Sequence, residues 1–422
     1  MTPERLSRTW ALLFGGAGVA LLALAPDPAV SPNGHFLALG AGVYLLFWAG
    51  LLLLRRAALK GFVVASASLA LLVGGLEALA LAGLDFGRLF DTHRGSLWNH
   101  PGNVSDARLF YRREPHSVVD WEGVRYRYDQ HGFRNPSDPT AAEVVVIGDS
   151  FVEGWNVPAE ELVTARLAVL LGREVVNLGQ SGYGPQQEFE VLERFGLPLK
   201  PRTVVWVFFE GNDPGDAERH EWIQKNWPSL SKPVFRERSF TRGAIQALRR
   251  LREKRDEPVP STLHPGTDAL AAQTHRSGLC RHGGRASRLY FWYAGHPLSE
   301  RDERALDTIA HGLHRASQLC RRTGAKFLVV FTPTKYRVYK DLCAFEKDSL
   351  PAGWTLNDLP ARFAGMVARA APDVGYLDLT PTLREEAARG PLLYFDYDTH
   401  WTAAGHAVVA REIAREIDEV GL

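Results

Sequence analysis

Residues 143–150 read Glu143-Val144-Val145-Val146-Ile147-Gly148-Asp149-Ser150, a short apolar run that stops on a glycine and two polar residues. Such a run, bounded by turn residues, marks a buried strand followed by a turn. The pattern recurs downstream. Short strands are expected at about 174–177, 203–209 (TVVWVFF), 325–331 (AKFLVVF) and 374–379. Between them lie segments with helical spacing at about 160–171, 185–195, 299–322 and 359–370, and a last one at 402–419. Pro185 suits the first turn of its helix, where a missing N–H costs nothing. Alternating strands and helices predict a five-stranded parallel sheet covered on both faces, a flavodoxin-like three-layer α/β/α fold.

Ligands bind such sheets beyond the carboxyl ends of the strands. The polar clusters fall there: 148–150, 179–184, 211–213 and 332–335. Ser150 follows the first strand directly, so its hydroxyl is expected at the sheet edge; the plainer reading of Gly-Asp-Ser alone is a helix cap. A serine attacks only when a base takes its proton. His400, in Asp396-Tyr397-Asp398-Thr399-His400-Trp401, precedes the last helix and is the candidate base. Asp398 stands two residues before it, close enough to orient the imidazole, and Asp396 is a second candidate for that task. Acyl transfer also needs donors aimed at a developing oxyanion. The glycine-rich turn 177–184 can turn backbone N–H groups inward, and Asn212 can add a side-chain amide. His406 reads as a helix residue near the site without a catalytic role.

Taken together, Gly148-Asp149-Ser150, the block Asn177-Leu178-Gly179-Gln180-Ser181-Gly182, Gly211-Asn212-Asp213 and the acid–histidine pair before the last helix resemble the SGNH (GDSL-like) hydrolases. The resemblance covers about residues 130–420, apart from an insertion. It implies Ser150 as nucleophile, His400 as base, and Gly182 and Asn212 as oxyanion donors beside the Ser150 amide. The commonest pattern of that family places the acid three residues before the histidine, where this chain has Tyr397. Asp398-Thr399-His400-Trp401 instead resembles the block of alginate O-acetyltransferases and related polysaccharide-modifying proteins. Gly132-Phe133-Arg134 and Thr332-Pro333-Thr334-Lys335 also look like extracytoplasmic members of that group.

The chain has 422 residues, too many for one ordinary domain. Three apolar stretches, at about 8–25, 35–54 and 61–83, are expected to form a three-helix transmembrane anchor over residues 1–85. Arg5 and Arg8 before the first stretch, and Arg55, Arg56 and Lys60 between the second and third, contrast with a loop at 26–34 that has no Lys or Arg. That asymmetry predicts a cytoplasmic N-terminus in a bacterial inner membrane and a catalytic domain in the periplasm or outside the cell. Glu77 inside the third stretch is expected to sit in a helix–helix interface or to meet a membrane partner. Residues 86–139 read as a linking extension. Residues 140–422 read as the hydrolase domain, with an insertion at about 214–298. The insertion holds a basic stretch with Arg249, Arg250, Arg252, Lys254 and Arg255, read as a solvated helix face rather than a surface for anionic glycan or headgroup.

Net charge is +1, from 49 basic and 48 acidic residues, which gives no argument for nucleic acid. Cys280, Cys320 and Cys343 allow one bridge and leave an odd thiol. Clustered Cys/His ligand spacing and a phosphate loop are both lacking, so neither a metal nor another cofactor is expected. The expected substrate is an acylated carbohydrate or lipid. Hydrolysis and O-acetyl transfer use the same residues, the second in company with a membrane acyl-donor partner. A catalytically silent assembly role in the cell envelope is the reading from a different class.

Overall fold

The computed structural model describes residues 3–24, 32–52, 57–90, 102–121, 123–230, 235–253, 274–419 and 421. Arg55, Arg56, most of the 26–34 loop and Lys254 to Glu257 lie outside the described residues. Two compact units are present: Met1–Arg94 with Lys232–Val259, and Gly95–Ser231 with Pro260–Leu422.

In the first unit the three apolar stretches fold as helices Pro3–Ala23, Pro32–Leu52 and Ala57–Leu81. Among the described residues no helix is long and apolar enough to cross a membrane. Three transmembrane helices are therefore not supported among the described residues. Glu77 has a protein partner within this unit. Its carboxylate accepts from Ser239 Oγ (3.0 Å) and Thr241 N (2.7 Å). The Thr241 N–H lies at the start of helix Phe240–Glu253, where helix N-termini favour negative charge. That helix seats Phe240 edge-on against Phe86 and Phe90.

The second unit begins with two antiparallel hairpins, β1 (Asn103–Asp106) with β2 (Phe110–Arg113) and β3 (Val118–Trp121) with β4 (Val124–Arg127). The central strands follow: β5 (Val144–Gly148), β6 (Val175–Gly179) and β7 (Thr203–Phe209). An inserted hairpin, β8 (Ser277–His282) with β9 (Arg285–Tyr290), comes next. It is followed by β10 (Lys326–Thr332), the short β11 (Cys343–Ala344) and β12 (Gly375–Asp378). The central sheet runs β12-β10-β7-β5-β6, all parallel. This five-stranded α/β sheet fits the SGNH-like fold expected above.

Alternation along the strands explains why both faces are buried. Val145 and Ile147 of β5 and Val204, Trp206 and Phe208 of β7 enter one core, with Phe189, Leu313 and Phe363 from the covering helices. Val144, Val146, Val205 and Val207 enter the other, with Leu167, Val409 and Ile413. A sheet covered on both sides must be apolar on both sides. Its strand order reverses between β5 and β7, which opens a crevice at their carboxyl ends. Three helices have ends close to expectation: Glu300–Thr323, Leu359–Ala370 and Ala403–Glu419. Apart from the sheet, β11 pairs with β8, and Cys280 and Cys343 are disulfide-bonded across that pair; Cys320 is buried and free.

Candidate active site

Strand β5 ends at Gly148, where the chain has no room for a side chain. A Cβ there would lie 2.6 Å from Val152 Cγ2. Asp149 then caps the short helix Ser150–Glu153, accepting from Phe151 N at 2.9 Å. Ser150 is thereby presented at the carboxyl edge of the sheet. Its Oγ lies 2.8 Å from His400 Nε2. On the other side of the ring, His400 Nδ1 lies 2.5 Å from Asp398 Oδ1, which also accepts from His400 N at 2.8 Å. Asp396 does not reach the imidazole. Its carboxylate accepts from Tyr397 N at 2.9 Å. The choice between the two acids is therefore decided by geometry in favour of Asp398.

The histidine side chain is 16% exposed and Asp398 19%, so the pair is shielded but reachable. Burial alone would pull the His400 pKa down. The charge and hydrogen bond of Asp398 outweigh it, with Asp149 and Glu153 adding to the pull, and the net shift is upward. Burial alone would raise Asp398, but His400, and then Lys335, hold it at about 2. Asp398 is thus a carboxylate at every ordinary pH, suited to stabilise an imidazolium.

What fixes the Asp398 loop is Lys335, a residue that the sequence placed in a sheet-end cluster and in the Thr332–Lys335 stretch without giving it a role in the site. It opens helix Lys335–Tyr339 just after β10 and is buried. Its ammonium donates to three carbonyls of the loop: Phe395 O (2.9 Å), Asp396 O (3.1 Å) and Asp398 O (2.6 Å). All three N–H donors of the lysine are used. Burial lowers its pKa to about 7, against the pull of Asp398 and Asp396. A bridge between Tyr394 and Trp401, with Phe395 N donating to His400 O at 3.0 Å, closes the same loop on its other side. His400 packs against Phe151 and Trp155, at centroid distances of 5.1 and 6.3 Å.

On the oxyanion side, Gly182 takes a φ of 79° in the turn closed by Tyr183 N to Gln180 O at 3.1 Å. A positive φ at that place is a glycine conformation. Among the described residues neither the Ser150 nor the Gly182 N–H has a protein acceptor. The turn itself is held by Glu153, three residues after Ser150, whose carboxylate accepts from Ser181 N (2.6 Å) and the Ser181 hydroxyl. Arg113 (3.1 Å) and Tyr128 OH (2.7 Å) complete its shell. Burial alone would raise Glu153, but Arg113 and these hydrogen bonds bring it to about 2. Residues 103–139 are therefore part of the site's frame, which spacing along the chain gave no means of seeing.

Asn212 reaches the rim, but its amide is engaged. Nδ2 donates to Asp216 Oδ2 at 2.7 Å and, more weakly, to Asp149 Oδ2 at 3.3 Å. An incoming oxyanion would take the place of Asp149 on that amide. Burial raises Asp149, and raises Asp216 to about 6. His406 is buried, and its Nδ1 accepts from Val163 N at 3.1 Å; burial lowers its pKa to about 3, so it is a neutral structural acceptor.

A profile of the GDSL-like Lipase/Acylhydrolase family matches residues 146–408. No curated protein matches the chain. Among solved structures, Axe2, an acetylxylan esterase from Geobacillus stearothermophilus, is similar at 14% identity and a TM-score of 0.33, over 66% of this chain and 96% of that one. A GDSL-like lipase from Bacteroides thetaiotaomicron VPI-5482 is similar at 12% identity and a TM-score of 0.32, over 66% and 88%. At these identities and scores the likenesses say nothing of substrate.

Two outcomes are expected. Replacing Lys335 with Met frees the loop, and a displacement of about 1 Å costs roughly a hundredfold; kcat on a simple ester should fall by about that factor while KM moves far less. Steady-state kinetics at matched folded fraction checks it, and a kcat that returns to the wild-type value once corrected for the folded fraction would make Lys335 a general stability residue only. Second, if neutral His400 is the base, its pKa is held above the ordinary imidazole range by Asp398, and kcat/KM should fall as pH drops through a midpoint raised in the same direction. In Asp398→Asn the midpoint should move down and kcat drop roughly a thousandfold or more; a pH–rate profile with an unmoved midpoint would deny Asp398 its role.

Proposed function

Because the chain belongs to the GDSL-like lipase/acylhydrolase family, we propose that it is a serine esterase cleaving O-acyl, chiefly O-acetyl, esters of an extracytoplasmic carbohydrate or lipid. The observation that carries this reading is the line Ser150 Oγ, His400 Nε2, His400 Nδ1, Asp398 Oδ1, at 2.8 and 2.5 Å. Ser150 Oγ attacks the acyl carbon while its proton passes to His400 Nε2. Negative charge gathers on the carbonyl oxygen, opposite the Ser150 and Gly182 N–H groups, with Asn212 as a third donor. The ester C–O bond breaks, and the leaving alcohol takes the proton from His400. Water then attacks the acyl-serine, giving a proton to His400. The acid departs, and the proton returns to Ser150.

A second reading, O-acetyl transfer, substitutes a sugar hydroxyl for water in the last step. The Asp398-Thr399-His400-Trp401 block favours it, and it would call for a membrane acyl-donor partner. Ser150→Ala should abolish acetate release from p-nitrophenyl acetate, with a loss of roughly a thousandfold or more, and should remove labelling by a fluorophosphonate probe. Undiminished release, or no Ser150 adduct in the folded wild type, would sink the reading. Acetyl groups recovered on an added glycan rather than as free acetate would select transfer.

We also propose that the first unit holds the protein at a membrane, with the catalytic unit on the extracytoplasmic side. Supporting this are the outward-facing Leu12, Phe47, Leu71 and Leu72, since large exposed apolar surface marks an interaction site. The basic residues around Arg55 and a disulfide, which persists in oxidising compartments, add to it. In intact cells the protein should sediment with membranes, and protease added outside should cut the catalytic unit. A carbonate-soluble or fully protected protein would end this proposal.

A further inference from the structure

Beside the catalytic rim lies a cleft of about 510 Å³, within the usual range of small-ligand sites. Its two ends touch the active-site machinery. Gly211, which lines it, is followed by Asn212. Trp292, on its wall, donates its indole N–H to Tyr397 O at 2.9 Å, one residue before Asp398. Trp292 is 38% exposed. The neighbouring Tyr293 stands edge-on to Phe209 at 5.2 Å, and Phe209 lies 4.3 Å from Phe151, the residue after the nucleophile. A Cβ at Gly211 would come within 2.9 Å of Tyr293 Cγ, so the tyrosine reaches this position only because 211 is glycine.

Below the aromatic wall the floor is polar and rigid. Glu210 accepts from Thr334 N (2.6 Å) and pairs with Arg337 (2.8 Å); Arg337 in turn donates to Asn357 Oδ1 at 2.8 Å. The Glu210–Arg337 pair is itself largely buried, but exposed polar residues of the same lining, His296, Ser299 and Arg301, would lose water to an acyl chain that returns no hydrogen bond, which is costly. A sugar ring offers an apolar face to an aromatic side chain and hydroxyls to polar groups. The mixed lining suits it, as the amphipathic character of Trp and Tyr at binding surfaces suggests.

Resting on the esterase reading above, we propose that this cleft is a glycan subsite, in which Trp292 stacks on a sugar residue neighbouring the acylated one and Tyr293 shapes the passage toward Ser150. The substrate class is then an acylated oligo- or polysaccharide rather than a lipid, and Trp292 is a specificity residue.

The test uses the full chain, with Trp292→Ala and Trp292→Phe, on three probes: acetylated xylo- and cello-oligosaccharides, p-nitrophenyl acetate and p-nitrophenyl octanoate. For Trp292→Ala, the ratio of oligosaccharide to p-nitrophenyl acetate kcat/KM should fall about tenfold or more, mainly through KM. Trp292→Phe keeps a ring without the N–H to Tyr397 and should recover at least half of that loss on a logarithmic scale. An equal loss on both acetate probes would make Trp292 only a prop for the Asp398 loop and overturn the proposal. So would a wild type that prefers the octanoate to the oligosaccharides, with that preference lost in Trp292→Ala. If instead no probe is cleaved in a Ser150-dependent way, it is the esterase reading itself that falls, and the subsite with it.

Discussion

A single buried carboxylate, that of Glu153, ties together the parts of the molecule that must meet for acyl transfer. It belongs to the helix that carries Ser150, yet it binds the Ser181 N–H of the turn that carries Gly182. It also receives Arg113 and Tyr128 from the hairpins that precede the sheet. A charge so far from water must be paired and fully hydrogen-bonded, or it neutralises. Because Glu153 is fully partnered, the nucleophile, the oxyanion turn and the hairpins are held in one arrangement. Moving any of them would leave a buried carboxylate short of donors.

The opposite side of the site is built on the reverse sign. There a buried ammonium, Lys335, gathers three carbonyls of the loop that bears Asp398 and His400. A lysine is well suited to this, being a compact point charge with three donors that can diverge. The loop is held besides by the Tyr394–Trp401 bridge, by Tyr290 N donating to Asp396 O, and by the Trp292 indole donating to Tyr397 O. Between the two charges sit Asp149 and Asn212. Asp149 caps the nucleophile helix, and Asn212 keeps its amide on carboxylates. The Asn212 amide N–H group is thus engaged in the free site, more weakly with Asp149 than with Asp216, while the Ser150 and Gly182 N–H groups have no protein acceptor among the described residues.

Much of this was legible in order along the chain. Strand β7 and helix Leu359–Ala370 end where the apolar periodicity ends, because a strand buried on both faces and a one-sided helix carry their burial in their spacing. Ser150, Gly182, Asn212 and His400 each stand at a strand end or before a helix, and each belongs to a local motif. The partners of those residues were less visible. Arg113 and Tyr128 sit in hairpins with no motif, and helix Asp213–Leu230 mixes polar and apolar residues without a clear stripe.

The succession of strands along the chain, the glycine turn, and Ser150 and His400 as candidate nucleophile and base were legible in the sequence alone, since each rests on neighbours within a few residues. Only the tertiary structure decided that Asp398 rather than Asp396 faces the imidazole, that Asn212 is already engaged, and that Lys335 and Glu153 anchor the two halves of the site. Several of these contacts join segments tens of residues apart, and even the short-range ones, Asp398 to His400 and Asn212 to Asp216, depend on how their loops are folded. Their existence depends on how the sheet closes its crevice and on which buried charge has no other way to be satisfied.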